Sequence, residues 1–259
     1  MKYIFAGDRD IAVSVLNHLM QQGYEPAALL VSGEDRASHA EELITLSGLP
    51  QELIFRGGDF KTTEAIALFE ELQPDYIIGI HFPYIIRKNV LDIPKIGFLN
   101  LHPAYLPYNR GWHTPTWAIL EGTPIGATLH FMSEELDAGD IIHQKQLDVL
   151  PNDTANSLYR RLKDLELDVF KEALPSILKL KPTRQVQDLS LGTSHNRKDL
   201  FKPEIQKIFL DKEYKAEELL NRLRALTTNS LAEAAYFEVN GKKYRVQMQI
   251  IEEENTIEI

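Results

Sequence analysis

Residues 62–102 read TTEAIALFEELQPDYIIGIHFPYIIRKNVLDIPKIGFLNLH. The first part, residues 62–72, spaces its apolar side chains as a helix does, and the run DYIIGI (75–80) that follows has the length and apolar content of a buried strand. A second such run, GFLNLH (97–102), delivers Asn100 and His102 to its carboxyl end. The same alternation extends toward the N-terminus. KYIFA (2–6) is a strand, Ile11, Val15, Leu16 and Leu19 recur at helical spacing, AALLVS (27–32) is a strand, residues 38–46 are helical, and ELIF (52–55) is a short strand. Strands separated by helices imply a parallel sheet with helices on its faces.

The fold class expected is therefore α/β, a Rossmann-like, mostly parallel sheet covered on both sides. Ligands of open α/β sheets lie outside the carboxyl ends of the strands, which is where Asn100 and His102 fall. Beyond Leu147 the pattern changes. PNDTANSLYRRLKDLELDVFKEALPSILKL opens with an Asp or Thr cap and continues as one long amphipathic helix, with Leu158, Leu162, Leu165, Val169 and Phe170 on its apolar face. Residues 182–203 are polar and irregular, the signature of a surface linker. A helix at 215–226 and two alternating runs around Asn240-Gly241 then read as a helix and a hairpin. The expected division is a catalytic domain at 1–180, a linker at 181–203 and a small C-terminal module at 204–259, closed by an acidic solvated tail at 252–255.

The chain of 259 residues is 44% hydrophobic, enough for a full core. No run approaches the roughly 18 apolar residues that span a membrane, and MKYIFAGDRD is charged too early for a secretory signal. A cytoplasmic address without membrane attachment is expected. Cysteine is absent, which removes disulfides, thiolate nucleophiles and Cys-ligated metals. The formal charge of −10, with Lys and Arg scattered, argues against a nucleic-acid partner but leaves room for a small anion held by one or two Arg side chains.

Asn100 and His102 stand two residues apart on a strand, so their side chains share a face. An amine attacking a carbonyl builds a tetrahedral carbon with a negative oxygen, and an Asn amide is a fixed donor for it. A His, with its ordinary pKa of about 6.5, serves as donor or proton acceptor near neutral pH. A carboxylate beside the ring would orient it and favour its charged form, and Asp140 in the Asp137-Ala138-Gly139-Asp140 turn is the candidate. Each residue alone has a structural explanation as strand-end His or turn-forming Asp. Their grouping favours acyl transfer to an amine, with neither metal nor covalent intermediate.

NLHPAYLPYNRG and LDAGDII resemble the signature of the 10-formyltetrahydrofolate-dependent formyltransferases, which act on methionyl-tRNA, glycinamide ribonucleotide or amino sugars. The resemblance implies that Asn100, His102 and Asp140 are catalytic. It places the folate along the sheet edge beside Gly79, Ile80, His81, Phe82 and Tyr84 and against the turn holding Asp137 and Gly139. The Ser-Leu-Leu-Pro of other branches is replaced by Ala104-Tyr105-Leu106-Pro107, followed by Tyr108-Asn109-Arg110-Gly111-Trp112. That loop is similar to those of the nucleotide-linked amino-sugar enzymes of surface glycan synthesis, such as O-antigen and lipopolysaccharide. It implies substrate contacts by Tyr105, Tyr108, Asn109, Arg110, Trp112 and His113, with Arg110 suited to a diphosphate. The expected acceptor is a dTDP-linked amino-dideoxyhexose with its amine at ring position 3 or 4. The short acidic C-terminal module suits a homodimer contact better than the barrel of a methionyl-tRNA enzyme, which remains the alternative. A non-catalytic binder of folate or nucleotide sugar is the rival from another class.

Overall fold

The computed structural model describes residues 1–253; of the expected acidic tail, Glu254 and Asn255 lie outside them. The elements in chain order are β1 (Tyr3–Gly7), α1 (Arg9–Gln21), β2 (Ala28–Val31), α2 (Ala40–Ser47), β3 (Ile54–Arg56), α3 (Thr63–Leu72), β4 (Tyr76–Ile80), α4 (Lys88–Leu91) and β5 (Gly97–His102). Then come β6 (Arg110–Gly111), α5 (Thr114–Glu121), β7 (Ile125–Phe131), β8 (Ile141–Leu147) and α6 (Ala155–Leu178). The chain continues with β9 (Ser194–His195), α7 (Pro203–Gln206), α8 (Ala216–Ala225), β10 (Ala235–Val239) and β11 (Lys242–Val246).

Seven strands form one sheet in the order β3-β2-β1-β4-β5-β7-β8. The first five are parallel, and β7 and β8 extend the sheet antiparallel beyond β5. Helices cover both faces, as the alternating pattern implies. On one side, Ile11, Val15, Leu16 and Leu19 of α1 and Val169, Phe170 and Ile177 of α6 bury against Phe5, Ile78, Leu99 and Leu101. On the other, Phe60, Ala65 and Phe69 cover Ile4, Leu30, Ile77 and Phe98. The long helix α6 begins where its sequence says it must. Thr154 Oγ1 accepts from Ser157 N, and Ser157 Oγ accepts from Thr154 N, so two otherwise orphaned donors are satisfied. Asn240 and Gly241 both take positive φ, the requirement of a type I′ turn, and close the β10–β11 hairpin.

Two regions differ from the sequence expectation. The antiparallel pair β7–β8 is not evident from the alternation of strands and helices, because a hairpin needs no helix between its strands. Residues 182–203 are no free linker either. Gln185 exchanges backbone hydrogen bonds with Ile141, and β9 pairs in parallel with β6, so the segment is strapped across the start of β8 and the loop after β5. The C-terminal module is docked as well. Arg224 of α8 donates to the carbonyls of Asp153 and Leu150, and Thr116 of α5 donates to the carbonyl of Ala225.

Candidate active site

Along β5, Leu99 and Leu101 turn into the core beneath α1 and α6, so Asn100 and His102 emerge on the opposite face. Register sets Asn100 beside Gly79 of β4 and opposite His130 of β7. Gly79 has no room for a side chain, since a Cβ there would lie 2.9 Å from the Phe98 ring. It therefore serves sheet packing beside Asn100, and Ile80 belongs to the core.

His130 is a functional candidate that motif reading passes over, because it becomes visible only when IGATLHF is paired opposite Asn100. Its Nδ1 lies 2.8 Å from the Phe131 carbonyl, which can only accept, so Nδ1 carries the hydrogen. Nε2 then accepts from Asn100 Nδ2 at 3.2 Å. This orients the Asn100 amide and leaves one of its two N–H groups for a reacting oxygen. Burial pushes the His130 pKa down to about 4, with the Asp137 carboxylate opposing in part, so the ring is neutral at neutral pH.

The two carboxylates of the LDAGD turn occupy places other than the expected ones. Asp137 sits 3.6 Å from His102 Nε2 through Oδ2 and 3.7 Å from His130 Nε2 through Oδ1. Its Oδ2 also accepts from Gly111 N at 2.9 Å. Asp140 instead faces Arg184 at 3.5 Å. The reason is conformational. Asp137 takes φ of 48°, which turns its carboxylate back over the site, whereas Asp140 already leads into β8. The carboxylate beside His102 is thus that of Asp137, while that of Asp140 lies toward Arg184.

The expected folate residues divide. His81 also takes a positive φ, and its ring crosses to α6, where Nε2 meets Glu166 Oε1 at 2.6 Å. Phe82 and Tyr84 pack edge-on against Phe60, and the Tyr84 hydroxyl accepts from Gly33 N. These three side chains build the walls of the loop. The exposed apolar side chains of these segments are Ile85, 82% exposed on that loop, and Leu136, which precedes Asp137. Gly139 has no space for a Cβ, which would fall 1.9 Å from the Phe131 carbonyl oxygen.

The expected substrate residues divide too. Asn109 is 1% exposed, its amide donating to the Pro124 carbonyl and accepting from Thr123, so it holds the loop rather than a ligand. Its own carbonyl faces His102 Nε2 at 3.4 Å. Arg110 meets Glu135 at 3.3 Å, while its Nε is buried without a partner among the described residues. Tyr105 and Tyr108 are half-buried. Trp112 is exposed under the Arg197 guanidinium, 5.4 Å from the ring centroid. His113 caps α5 and leans on Phe201 and Glu233 of the C-terminal region, and burial lowers its pKa. Among the described residues no three His, Asp or Glu side chains converge as a metal-binding set. No helix among them is long and apolar enough to cross a membrane.

An amide donor, an imidazole and a carboxylate thus converge at the carboxyl end of β5, a set suited to acyl transfer to an amine. The formyl transferase family matches residues 1–174, and the chain belongs to that family: it is a formyl-transfer enzyme. Residues 201–253 match the N-formyltransferase dimerization C-terminal domain. The chain is 30% identical over 254 residues to a methionyl-tRNA formyltransferase of Bacillus licheniformis, covering 95% of this chain and 77% of that one. It is similar to a 4-N formyltransferase from Francisella tularensis, at TM-score 0.80 and 26% identity over 97% of this chain and 98% of that one. A sugar N-formyltransferase from Shewanella sp. shares the fold at TM-score 0.82 and 22% identity, covering 98% of this chain and 99% of the other.

Proposed function

We propose that this enzyme moves a formyl group from 10-formyltetrahydrofolate to the amine of a dTDP-linked 3- or 4-amino-dideoxyhexose, in the cytoplasm, for surface glycan synthesis. The observation that carries the acceptor reading is the end-to-end likeness to the Francisella 4-N formyltransferase, C-terminal module included. The residues of the loop after β5 fit it: Arg110 brings a guanidinium of the kind that pairs with a diphosphate, and Trp112 offers an exposed flat face. Exposed Ile85 and Leu136 fit the apolar edge of a folate. The second reading, formylation of methionyl-tRNA, rests on the Bacillus relative. The net charge of −10 weighs against it.

The folate supplies the formyl carbon and departs through its N10. A C–N bond forms between acceptor amine and formyl carbon, the bond to N10 breaks, and its electron pair stays on N10. The free N–H of Asn100 donates to the oxygen on which negative charge develops, held in that orientation by His130. His102 takes the proton lost by the amine and returns it toward N10, while Asp137 orients the ring and offsets the charge it gains. The test is product mass after incubation with 10-formyltetrahydrofolate and a panel of dTDP- and UDP-linked 3- and 4-amino-dideoxyhexoses beside charged initiator tRNA. One formyl group on a dTDP-amino sugar is expected. Formylation of the tRNA alone overturns the acceptor reading.

A further inference from the structure

The segment between α6 and the C-terminal module is held to the site by more contacts than a linker needs. The Arg184 guanidinium carbon lies over the Phe131 ring, 3.5 Å from its centroid, and the side chain donates to the Ile96 carbonyl as well as to Asp140. Gln185 pairs with Ile141. Further on, Thr193 Oγ1 accepts from Asn109 N, and the carbonyls of Thr193 and His195 accept from Arg110 N and Trp112 N. One strap therefore grips both loops that enclose His102.

Gln187 occupies the middle of this strap and is only 8% exposed. Its Nε2 donates to two carbonyls of one turn, that of Asp137 at 3.0 Å and that of Gly139 at 2.6 Å. Two carbonyl oxygens facing one group demand a donor there, which settles which end of the amide points inward. We infer that Gln187 is a positioning residue for formyl transfer: by binding both carbonyls it holds the turn in the shape that aims the Asp137 carboxylate at His102. Asp137 keeps its left-handed backbone conformation because its own carbonyl is anchored from behind by Gln187 and its carboxylate from in front by Gly111 N. Without the rear anchor the turn relaxes and the carboxylate leaves the imidazole. The inference rests on Asp137 acting in the reaction as proposed above.

The test uses Gln187→Met, which keeps the volume and removes the donor, with Gln187→Asn as a second variant should Met not fold. Turnover is measured with 10-formyltetrahydrofolate and the acceptor that the product-mass panel shows to be formylated, together with Asp137→Ala and the double variant, and the crystal structure of the Gln187 variant is determined. The expected result is a kcat at least tenfold lower, KM for the folate within threefold, and no further loss when the substitution is added to Asp137→Ala. The crystal structure should show the carboxylate out of reach of His102. A kcat within twofold of the parent, losses that multiply in the double variant, or an Asp137 carboxylate still in place would each overturn the inference. If Asp137→Ala alone keeps full turnover, it is the role of Asp137 that fails, and the crystal structure still decides whether Gln187 holds the turn.

Discussion

In the proposed reaction Asn100 donates to the developing oxyanion, His102 moves the proton and Asp137 steadies His102, so turnover should be sensitive to the loss of any one of them. Asn100→Ala, His102→Ala and Asp137→Ala should each lower kcat by a factor on the order of 100 or more, roughly 3 kcal/mol in the barrier, with the fold intact by circular dichroism. Asp140→Ala should cost far less turnover, because its carboxylate serves Arg184. A collapse of kcat for Asp140→Ala with survival of Asp137→Ala would reverse that assignment. His130 makes a prediction of a different kind. Its folded pKa of about 4 lies below its ordinary 6.5, so the unfolded chain binds the extra proton first as pH falls. The stability contributed by the neutral ring is fully present above pH 6.5 and is lost as pH falls toward 4, on the order of 3 kcal/mol in all. Urea unfolding of the parent and of His130→Gln across that interval should show the shallower dependence in the variant; parallel curves would refute the account.

At the level of elements, the site depends on two backbones approaching more closely than a side chain permits. Gly139 abuts the carbonyl of Phe131, so the turn and β7 can meet only if residue 139 lacks a Cβ. Gly139→Ala should displace the turn bodily, with turnover falling at least as far as in Asp137→Ala and a lowered melting temperature. Unchanged melting and activity would mean that the turn has slack. The sheet edge was readable as far as β5, whose bounds follow from GFLNLH alone. The strap was not, because residues 182–203 carry no periodic pattern. Their order comes from hydrogen bonds to β6, to Ile141 and to the turn, all partners distant in sequence.

For the whole molecule, the apolar side chains left exposed on the C-terminal module are the feature still without a partner. Leu220, Leu231, Val239 and Tyr244 are exposed there, within the segment that matches a dimerization domain. We propose a homodimer formed through this module, and sedimentation equilibrium should return twice the chain mass. A single-chain mass at micromolar concentration would exclude it. The module also touches the site, since His113 leans on Phe201 and Glu233, which gives the two parts a shared boundary.

Sequence alone determined the parallel core of the sheet, the helices on both faces, the long capped helix, the Asn-Gly hairpin and the pair Asn100 and His102, because these follow from local periodicity and from residues a fixed step apart on one strand. It also carried the family through its two motifs. Which Asp of the LDAGD turn meets His102 was decided by tertiary structure, since both lie in the same turn and only the left-handed backbone at Asp137 selects between them. The same holds for His130 opposite Asn100, for the inward, structural role of Asn109 and for the grip of Gln187. Each depends on a contact between segments far apart in the chain, where direction and distance, not residue type, settle the function.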